Sequence, residues 1–307
     1  LTGDFDDAWP ISGIVFAATS RSGYWHSGRV HNIALTWQQA AMLASGLLLA
    51  ELWLSQGVLP RLRGVRPFLR EAGVIAGLYA LWQLAGTLSV LGTAGAFQRA
   101  RWINRTERDW WLPSEASVQR LVSGHPVIVQ ASNLYYATMH FGAVFVFLVW
   151  LFVRHREAYP SIRLTLALST LICLLVQLIP VAPPRLLPGY VDTAQQYGQS
   201  VYNLGLAPDE LSAMPSVHVA WAVLIGWAVV RVSTSNWRWV ALAHPVLTIF
   251  VITVTANHFW LDGVVAIAVV AACVWGQRAV ARAMRAWRER HGSALRSSAE
   301  PLEPILQ

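Results

Sequence analysis

Long apolar runs separated by short polar segments constrain this chain more than any other feature of its sequence. A helix needs about 20 predominantly apolar residues to cross a bilayer. Runs near this length lie at 35–59, 71–94, 133–153, 162–181, 215–231, 239–257 and 258–275. Between 97 and 130, arginine and tryptophan are mixed with apolar residues, which is typical of a helix lying in the membrane interface. The pattern predicts an all-α fold: a polytopic transmembrane helical bundle of about six to seven spans with an interfacial amphipathic helix.

Composition argues against two other classes of protein. Hydrophobic residues make up 55% of the 307 residues and charged residues only 13%, which is too apolar for an ordinary soluble domain. All 23 basic residues are arginines, and the formal charge of +7 is spread over loops and the C-terminal end. A nucleic-acid reader should instead gather its charge on one basic face with its own fold motif. We therefore expect one membrane domain and no nucleic-acid partner.

The apolar runs divide the chain into three parts. Residues 1–33 contain no run long enough to cross a bilayer, and we interpret them as an N-terminal arm outside the membrane. Residues 34–277 are expected to form the transmembrane domain, which carries the candidate site. Residues 278–307 contain six arginines and are expected to form a basic tail.

The arginines also predict which way the spans face. If all seven runs cross, 15 of the 23 arginines fall on one side of the membrane, and the side richer in arginine is normally cytoplasmic. The tail then lies in the cytoplasm and the arm outside it. Four polar residues fall together on the extracytoplasmic face: Arg185, Ser216, His218 and His258. We expect an integral protein of a plasma or inner membrane, of bacterial type, with its site on the extracytoplasmic side.

Polar residues in and beside the later apolar runs have the chemistry of phosphoryl transfer. An ionisable residue at the centre of a membrane helix costs about 2.5–3.5 kcal/mol on insertion scales, so such residues are functional candidates. Asp262 follows His258 by four residues, a helical spacing that lets the carboxylate orient the imidazole as a nucleophile. His218 is suited to protonating a leaving alkoxide, and Arg185 and Ser216 to binding phosphate oxygens. This phosphohistidine chemistry needs no metal or other cofactor, because arginine and helix dipoles can stabilise the transferring group.

Other interpretations of these residues stay open. A lone histidine near a helix end is more often structural, and Asp262 alone could cap a helix or pair with an arginine. A membrane transporter or proton or ion pathway would use the same His and Asp residues, although they lie at the ends of runs rather than near the midplane. Four further residues are candidates for lining a pocket: His140, Tyr136, Asn257 and Asp192. A position in the protein core would explain His140 equally well.

Three short motifs carry a family resemblance. They are Ala-Pro-Pro-Arg at 182–185, Pro-Ser-Val-His at 215–218 and His-Phe-Trp-Leu-Asp at 258–262. Together they resemble the motifs of the type 2 phosphatidic acid phosphatase (lipid phosphate phosphatase) superfamily, over about 133–275. The resemblance implies a lipid phosphate or phospholipid substrate held at the bilayer surface. It also implies the roles given above. Arg185 and Ser216 would bind phosphate, and His218 would transfer the proton. His258 would be the nucleophile, oriented by Asp262.

Two departures from the superfamily pattern mark this chain. The first motif of the superfamily has a lysine seven residues before its arginine, where this chain has Leu178, and the third has an arginine six residues before its histidine, where this chain has Ile252. Ala-Pro-Pro-Arg and Asn257 before His258 are more similar to the inositol-phosphoceramide synthase-like (inositolphosphotransferase) branch, which transfers head groups between lipids. The resemblance leaves two activities open: a lipid phosphatase, or a head-group transferase with a lipid or polyol acceptor.

Overall fold

The computed structural model describes residues 35–57, 59–89, 94–200 and 210–297, and all regular secondary structure within these ranges is helical apart from one isolated bridge between Val181 and Ser212. The all-α prediction is confirmed for this part of the chain. The arm predicted at 1–33 and residues 298–307 of the predicted tail lie outside the described residues.

Ten α-helices follow one another along the described chain. They are α1 (Trp37–Ser55), α2 (Arg66–Ser89), α3 (Ala96–Asp109), α4 (Glu115–Ser123), α5 (Pro126–Arg154), α6 (Tyr159–Gln177), α7 (Thr193–Gln196), α8 (Val217–Val232), α9 (Ala243–Val254) and α10 (Trp260–Ser297). Short 3-10 helices occupy Pro60–Val65, Pro184–Leu186 and Asn236–Leu242. Helices α1 and α2 pack along each other.

Within the part of the chain that the structure describes, four segments are long and apolar enough to cross a membrane: Pro126–Arg154, Tyr159–Gln177, Asn236–Val254 and Trp260–Arg290. They indicate an integral membrane protein. Helix α8 is also apolar but has only 16 residues, a length of about 24 Å against the roughly 30 Å of a hydrocarbon core. The two or three additional spans expected from the sequence therefore stay a prediction.

Helix α8 is buried among the neighbouring helices. It packs against α5, α6, α9 and α10, and Val219, Ala220 and Leu224 are fully buried. The surrounding helices expose apolar side chains on their outward faces, including Phe145 and Val146 of α5. Apolar outward faces are what a helix in contact with lipid requires.

Gly226 allows α8 to approach the start of α9 closely. A Cβ there would lie 3.2 Å from the carbonyl oxygen of Ala241 and 3.3 Å from the ring of Pro245. We expect Gly226→Val to overpack this contact and to lower the free energy of unfolding by about 1–3 kcal/mol, measured by thermal unfolding in detergent. Gly276→Val in α10 is the matched control, because a Cβ at Gly276 meets nothing within 4 Å. Equal destabilisation by both changes would contradict the packing argument.

The interfacial segment predicted at 97–130 consists of two helices rather than one. The buried residues of α3 recur at the spacing of one helical face: Ala96, Ala100, Ile103 and Glu107. The chain then turns before α4, and α5 begins at Pro126 instead of the predicted 133. Proline is well tolerated at the first position of a helix, where its missing N–H would have had no partner.

The boundary predicted between the last span and the basic tail does not interrupt the helix. Helix α10 runs without a break from Trp260 to Ser297, because its second half consists largely of alanine and arginine, which are good helix formers. The division at 277 therefore stays a prediction about the position of the membrane surface.

Candidate active site

Three segments that are distant in the sequence are joined by backbone hydrogen bonds. The N–H of Arg185 donates to the carbonyl of Ala256 at 2.8 Å, and the N–H of Ser216 donates to the carbonyl of Asp262 at 3.1 Å. These bonds bring together the segment after α6, the start of α8 and the junction between α9 and α10. The five residues predicted to catalyse and to bind phosphate thus lie in one region: Arg185, Ser216, His218, His258 and Asp262.

His258 lies in the junction before α10, not on a helix as its spacing to Asp262 suggested. Its Nδ1 lies 2.6 Å from the carbonyl oxygen of Ala213. Because a carbonyl oxygen only accepts hydrogen bonds, Nδ1 carries the proton in this contact and Nε2 keeps its lone pair. Nε2 is buried and has no hydrogen-bond partner among the described residues. His258 therefore has the tautomer of a nucleophile.

Asp262 contacts the imidazole of His258 less closely than the spacing of the two residues suggested. Its Oδ2 lies 3.4 Å from Nδ1 of His258 and accepts a shorter bond, of 2.8 Å, from the N–H of Phe259. The side chain is fully buried. Asp262 thus fixes the start of α10 and places a negative charge near Nδ1, while the carbonyl of Ala213 makes the closer contact.

His218 lies in the first turn of α8, beside the rings of α5. Its ring centroid is 4.4 Å from that of Tyr136, which stacks on it, and 4.3 Å from that of His140. The ring of His258 is 5.4 Å away, centroid to centroid. Both nitrogens of His218 are buried without a hydrogen-bond partner among the described residues. Two imidazoles, each with at least one nitrogen that has no hydrogen-bond partner among the described residues, therefore lie close together.

Ser216 caps the first turn of α8. Its Oγ accepts a hydrogen bond from the N–H of Val219 at 3.4 Å, and the residue is fully buried. The start of a helix presents backbone N–H groups and a positive dipole end, which favour a bound anion. The position of Ser216 suits phosphate binding, through this helix start as much as through its hydroxyl.

Arg185 is buried in the short turn at Pro184–Leu186 and is surrounded by acceptors. Its Nε donates to Oδ1 of Asn257 at 2.9 Å. Its Nη1 donates to Oδ2 of Asp192 at 2.7 Å and to Oε1 of Glu210 at 2.6 Å. Two carboxylates therefore compete with any phosphate for this guanidinium group.

One pocket lies around Arg185 and a second lies beside His218. The first is lined mainly by polar side chains around Arg185, namely Asn133, Tyr136, Asp192, Gln199, Ser200 and Asn257. The second extends along α8 and α9 from His218 and is lined by rings and hydroxyls, among them Tyr135, His140, His244 and Thr248. The four residues proposed as pocket lining thus divide: Tyr136, Asp192 and Asn257 around the first pocket, His140 beside the second. Tyr136 also lines the second pocket.

Neither position that departs from the superfamily pattern contributes charge to the site. Leu178 ends α6 and its side chain is 43% exposed. Ile252 is 2% exposed, belongs to the apolar core and lines the second pocket. Both motif positions therefore hold apolar side chains in place of cations.

Several polar residues that support the site were not found from the sequence. Oε1 of Glu107 accepts the N–H of Leu261 at 2.7 Å, and Oε1 of Glu115 accepts that of Trp260 at 3.3 Å. Nε2 of Gln119 donates to the carbonyls of Val191 and Val254. Nε2 of Gln177 donates to the carbonyl of Pro215. One signal was available: Glu107 continues the otherwise apolar stripe of α3 at helical spacing.

Among the residues that the structure describes, no group of three or more His, Cys, Asp or Glu side chains is placed to hold a metal ion. The cofactor-free reaction inferred from the sequence stays a prediction, which the chelator experiment below addresses.

Comparison with known proteins gives one match. The model of the PAP2 superfamily matches residues 101–276, more than half of the 307 residues, whereas no curated protein and no solved structure matches the chain. The matched region runs from α3 to α10 and includes all three segments of the site. This match confirms the superfamily that the motifs indicated, but not the branch. Members of the superfamily are generally phosphatases, so the match suggests a phosphatase or phosphotransferase. The chain belongs to the PAP2 superfamily.

Proposed function

We propose that this protein is a membrane enzyme that removes or transfers a lipid-linked phosphate group through a phosphohistidine at His258. The observation that carries the proposal is the pairing of His258 with His218. Their ring centroids lie 5.4 Å apart, and Nε2 of the first and both nitrogens of the second have no partner among the described residues. A phosphoryl group between the rings would contact a nucleophile on one side and a proton donor on the other.

The first step forms the covalent intermediate. The lone pair on Nε2 of His258 attacks phosphorus, an N–P bond forms, and the P–O bond to the leaving alcohol breaks. His218, protonated for this step, gives its proton to the leaving oxygen, so that the alcohol departs neutral. The carbonyl of Ala213 and the carboxylate of Asp262 stabilise the positive charge that develops on the ring of His258.

The second step returns the enzyme to its starting state. Water or an acceptor hydroxyl attacks phosphorus, neutral His218 takes the proton of the attacking oxygen, and the N–P bond breaks with its electron pair returning to Nε2. Arg185 and the N-terminus of α8 bind the non-reacting phosphate oxygens in both steps. Asn257 holds Nε of Arg185 and thereby fixes the plane of the guanidinium group.

Glu210 should weaken the binding of anionic substrates, because its carboxylate lies 2.6 Å from Nη1 of Arg185 and its side chain is partly exposed. We expect Glu210→Gln to lower KM for a lipid phosphate about two- to fivefold, the range of a partly screened ion pair, with kcat within about twofold. Initial rates at fixed detergent composition measure both constants. Glu157→Gln, at an exposed carboxylate in the turn between α5 and α6, controls for the change of net charge. An unchanged or higher KM would show that Glu210 does not compete with phosphate.

We place the site at the extracytoplasmic surface of a plasma or inner membrane. The distribution of arginines supports this side. The depth is supported by the turn between α3 and α4, where Trp111 is 93% exposed, because tryptophan prefers the membrane interface. Nε1 of Trp260 donates to the carbonyl of Pro113 in the same turn at 2.7 Å. The start of α10 therefore lies at the depth of this turn.

Two observations favour head-group transfer over hydrolysis of a doubly charged phosphate. The pocket beside Arg185 is lined by amides and a carboxylate, which can hydrogen-bond the hydroxyls of an acceptor. The site also has Leu178 and Ile252 at the positions of two motif cations, which suits a phosphodiester of single charge better than a phosphomonoester. Both support the transferase activity of the inositol-phosphoceramide synthase-like branch, with a lipid or polyol acceptor.

The test uses the full chain, purified in detergent, with phosphatidic acid, a lipid diphosphate and phosphatidylinositol as substrates. Released phosphate and new lipid products are followed with and without a chelator, and with and without added inositol or a lipid alcohol. We expect turnover that the chelator does not change, and new lipid products when an acceptor is present. Lack of turnover on every substrate would overturn the proposed function. Release of inorganic phosphate without any new lipid product would overturn the transferase assignment. Loss of turnover in the presence of chelator would overturn the metal-free mechanism.

A further inference from the structure

Two buried glutamates of the interfacial helices lie against the start of α10 and take no part in the phosphoryl transfer proposed above. Glu107 of α3 is 3% exposed and Glu115 of α4 is 1% exposed. They accept the N–H groups of Leu261 and Trp260, while Asp262 accepts that of Phe259. Three carboxyl groups therefore bind three successive N–H groups at the start of the helix that follows His258.

Burial and the neighbouring carboxyl groups favour the protonated form of Glu107. Burial first, and then the hydrogen bond and the charge of Glu115, raise the pKa of Glu107 to about 9, and the charge of Asp262 adds to the effect. Oε2 of Glu107 is buried and accepts no hydrogen bond from any described residue. A proton on this oxygen would make it a donor to the neighbouring carboxyl of Glu115.

We propose that Glu107 and Glu115 share one proton and that this pair positions the first turn of α10, and through it Asp262 and His258. The positioning of a nucleophile rests on the function proposed above, whereas the shared proton does not. The pair is itself held in place, because the hydroxyl of Tyr190 donates to Oε2 of Glu115 at 3.1 Å. Trp260 is fixed at both ends, by Glu115 at its N–H and by Pro113 at its indole.

The proton matters because of the groups that face the pair. They are Asp262 at the start of α10 and Tyr190 in the loop after α6, while Arg108 on α3 itself is hydrogen-bonded to Asn104. Loss of the proton would leave adjacent buried carboxylates beside Asp262. Their mutual repulsion would be relieved by movement of α3 or α4 away from α10. Because His258 directly precedes this helix, such movement would displace its Nε2.

The shared proton predicts how stability changes with pH. The pKa of Glu107 is about 9 in the folded protein against an ordinary value of 4.5, so the folded state binds more protons between these values and stability falls as pH rises through them. We expect the melting temperature of the parent protein to fall by about 5 °C between pH 7 and 9. Glu107→Gln, whose amide replaces the protonated carboxyl and cannot ionise, should remove most of this fall. Asp109→Asn, at an exposed carboxylate on the same helix, should keep it.

Kinetics test the positioning. We expect Glu107→Ala to lower kcat at least about tenfold with KM within about twofold, because misplacing a reacting group by about 1 Å slows chemistry by up to 100-fold. Glu107→Gln should restore kcat to within about threefold of the parent at pH 7 and should extend the activity to higher pH. Equal kcat and pH profiles for the parent and both variants would overturn the positioning role.

The two measurements separate this inference from the proposed function. If Glu107→Gln melts with the same pH dependence as the parent protein, the pair does not share a proton and the inference is wrong, whether or not any lipid is turned over. If the parent protein turns over no lipid phosphate, the proposed function fails and the positioning role fails with it, while the melting curves still decide the shared proton. If Glu107→Ala does not fold, the comparison between Glu107→Gln and the parent decides both points.

Discussion

Replacing His258 by alanine should lower the turnover of a lipid phosphate by at least about 1,000-fold, because a nucleophile that forms the covalent intermediate has no substitute. Nε2 of His258 is buried and has no hydrogen-bond partner among the described residues, while Nδ1 bonds the carbonyl of Ala213. Binding should change little, since Arg185 and the start of α8 are the groups proposed to hold the phosphate oxygens. Initial rates for the parent and the variant in the same detergent, over a range of substrate concentrations, measure kcat and KM.

A second variant separates chemistry from structure. His258→Ala also removes the 2.6 Å contact with the carbonyl of Ala213, and a lost hydrogen bond costs about 1 kcal/mol of stability. His258→Asn keeps a donor toward this carbonyl and removes only the nucleophile, so it should be as inactive as the alanine variant and melt closer to the parent protein. His125→Ala, at an exposed histidine before α5, should keep full activity. Turnover of His258→Ala within threefold of the parent would show that the nucleophile is elsewhere.

The membrane character of the fold could be predicted because contact with lipid requires long runs of apolar residues, which are easily recognised in a sequence. Outward-facing residues such as Phe145 and Val146 must be apolar along the whole length of a span. The boundaries were less accurate: the start of α5 at Pro126 was missed because Gln130, Ser132 and Asn133 interrupt the apolar sequence that follows it. Helix α8 could not be recognised as internal, since an apolar helix has the same sequence pattern in a protein core as in contact with lipid.

The site could be predicted only in part. His218, His258 and Arg185 were found because a polar residue within apolar sequence is rare. The partners of these residues were not found, because they come from distant segments: Ala213 to His258 across 45 residues, and Glu210 to Arg185 across 25. Helical periodicity shows that Glu107 lies on the buried face of α3, but it gives no information on the N–H group that its carboxylate meets.

The charges around Arg185 and the two missing cations have a common interpretation. The superfamily pattern has a lysine and a second arginine where this chain has Leu178 and Ile252, and the guanidinium group of Arg185 meets Asp192 and Glu210. One positive group shared between two carboxylates gives little net attraction for a dianion. In the proposed site, phosphate binding thus depends on geometry and helix N–H groups more than on net charge, which favours a singly charged diester.

His218→Gln should separate the two chemical steps. With a lipid phosphate, whose leaving alkoxide needs a proton, we expect turnover to fall by about 100- to 10,000-fold, the usual contribution of a general acid and base. With p-nitrophenyl phosphate the leaving group departs as an anion without a proton, so the first step should be nearly as fast as in the parent protein. The second step still lacks the base that activates water. The variant should therefore release a burst of about one nitrophenolate per protein and then stop.

The burst should coincide with a phosphoryl group on His258. The N–P bond is stable in alkali and labile in acid, so the label should survive denaturation at high pH and disappear after acid treatment. Mass spectrometry of peptides then assigns it to His258, and the double variant His218→Gln with His258→Ala should carry none. A label on another residue would refute the nucleophile. Proportional loss of both steps, without a burst, would show that His218 acts by holding the stacked rings of Tyr136 and His140 rather than by transferring the proton.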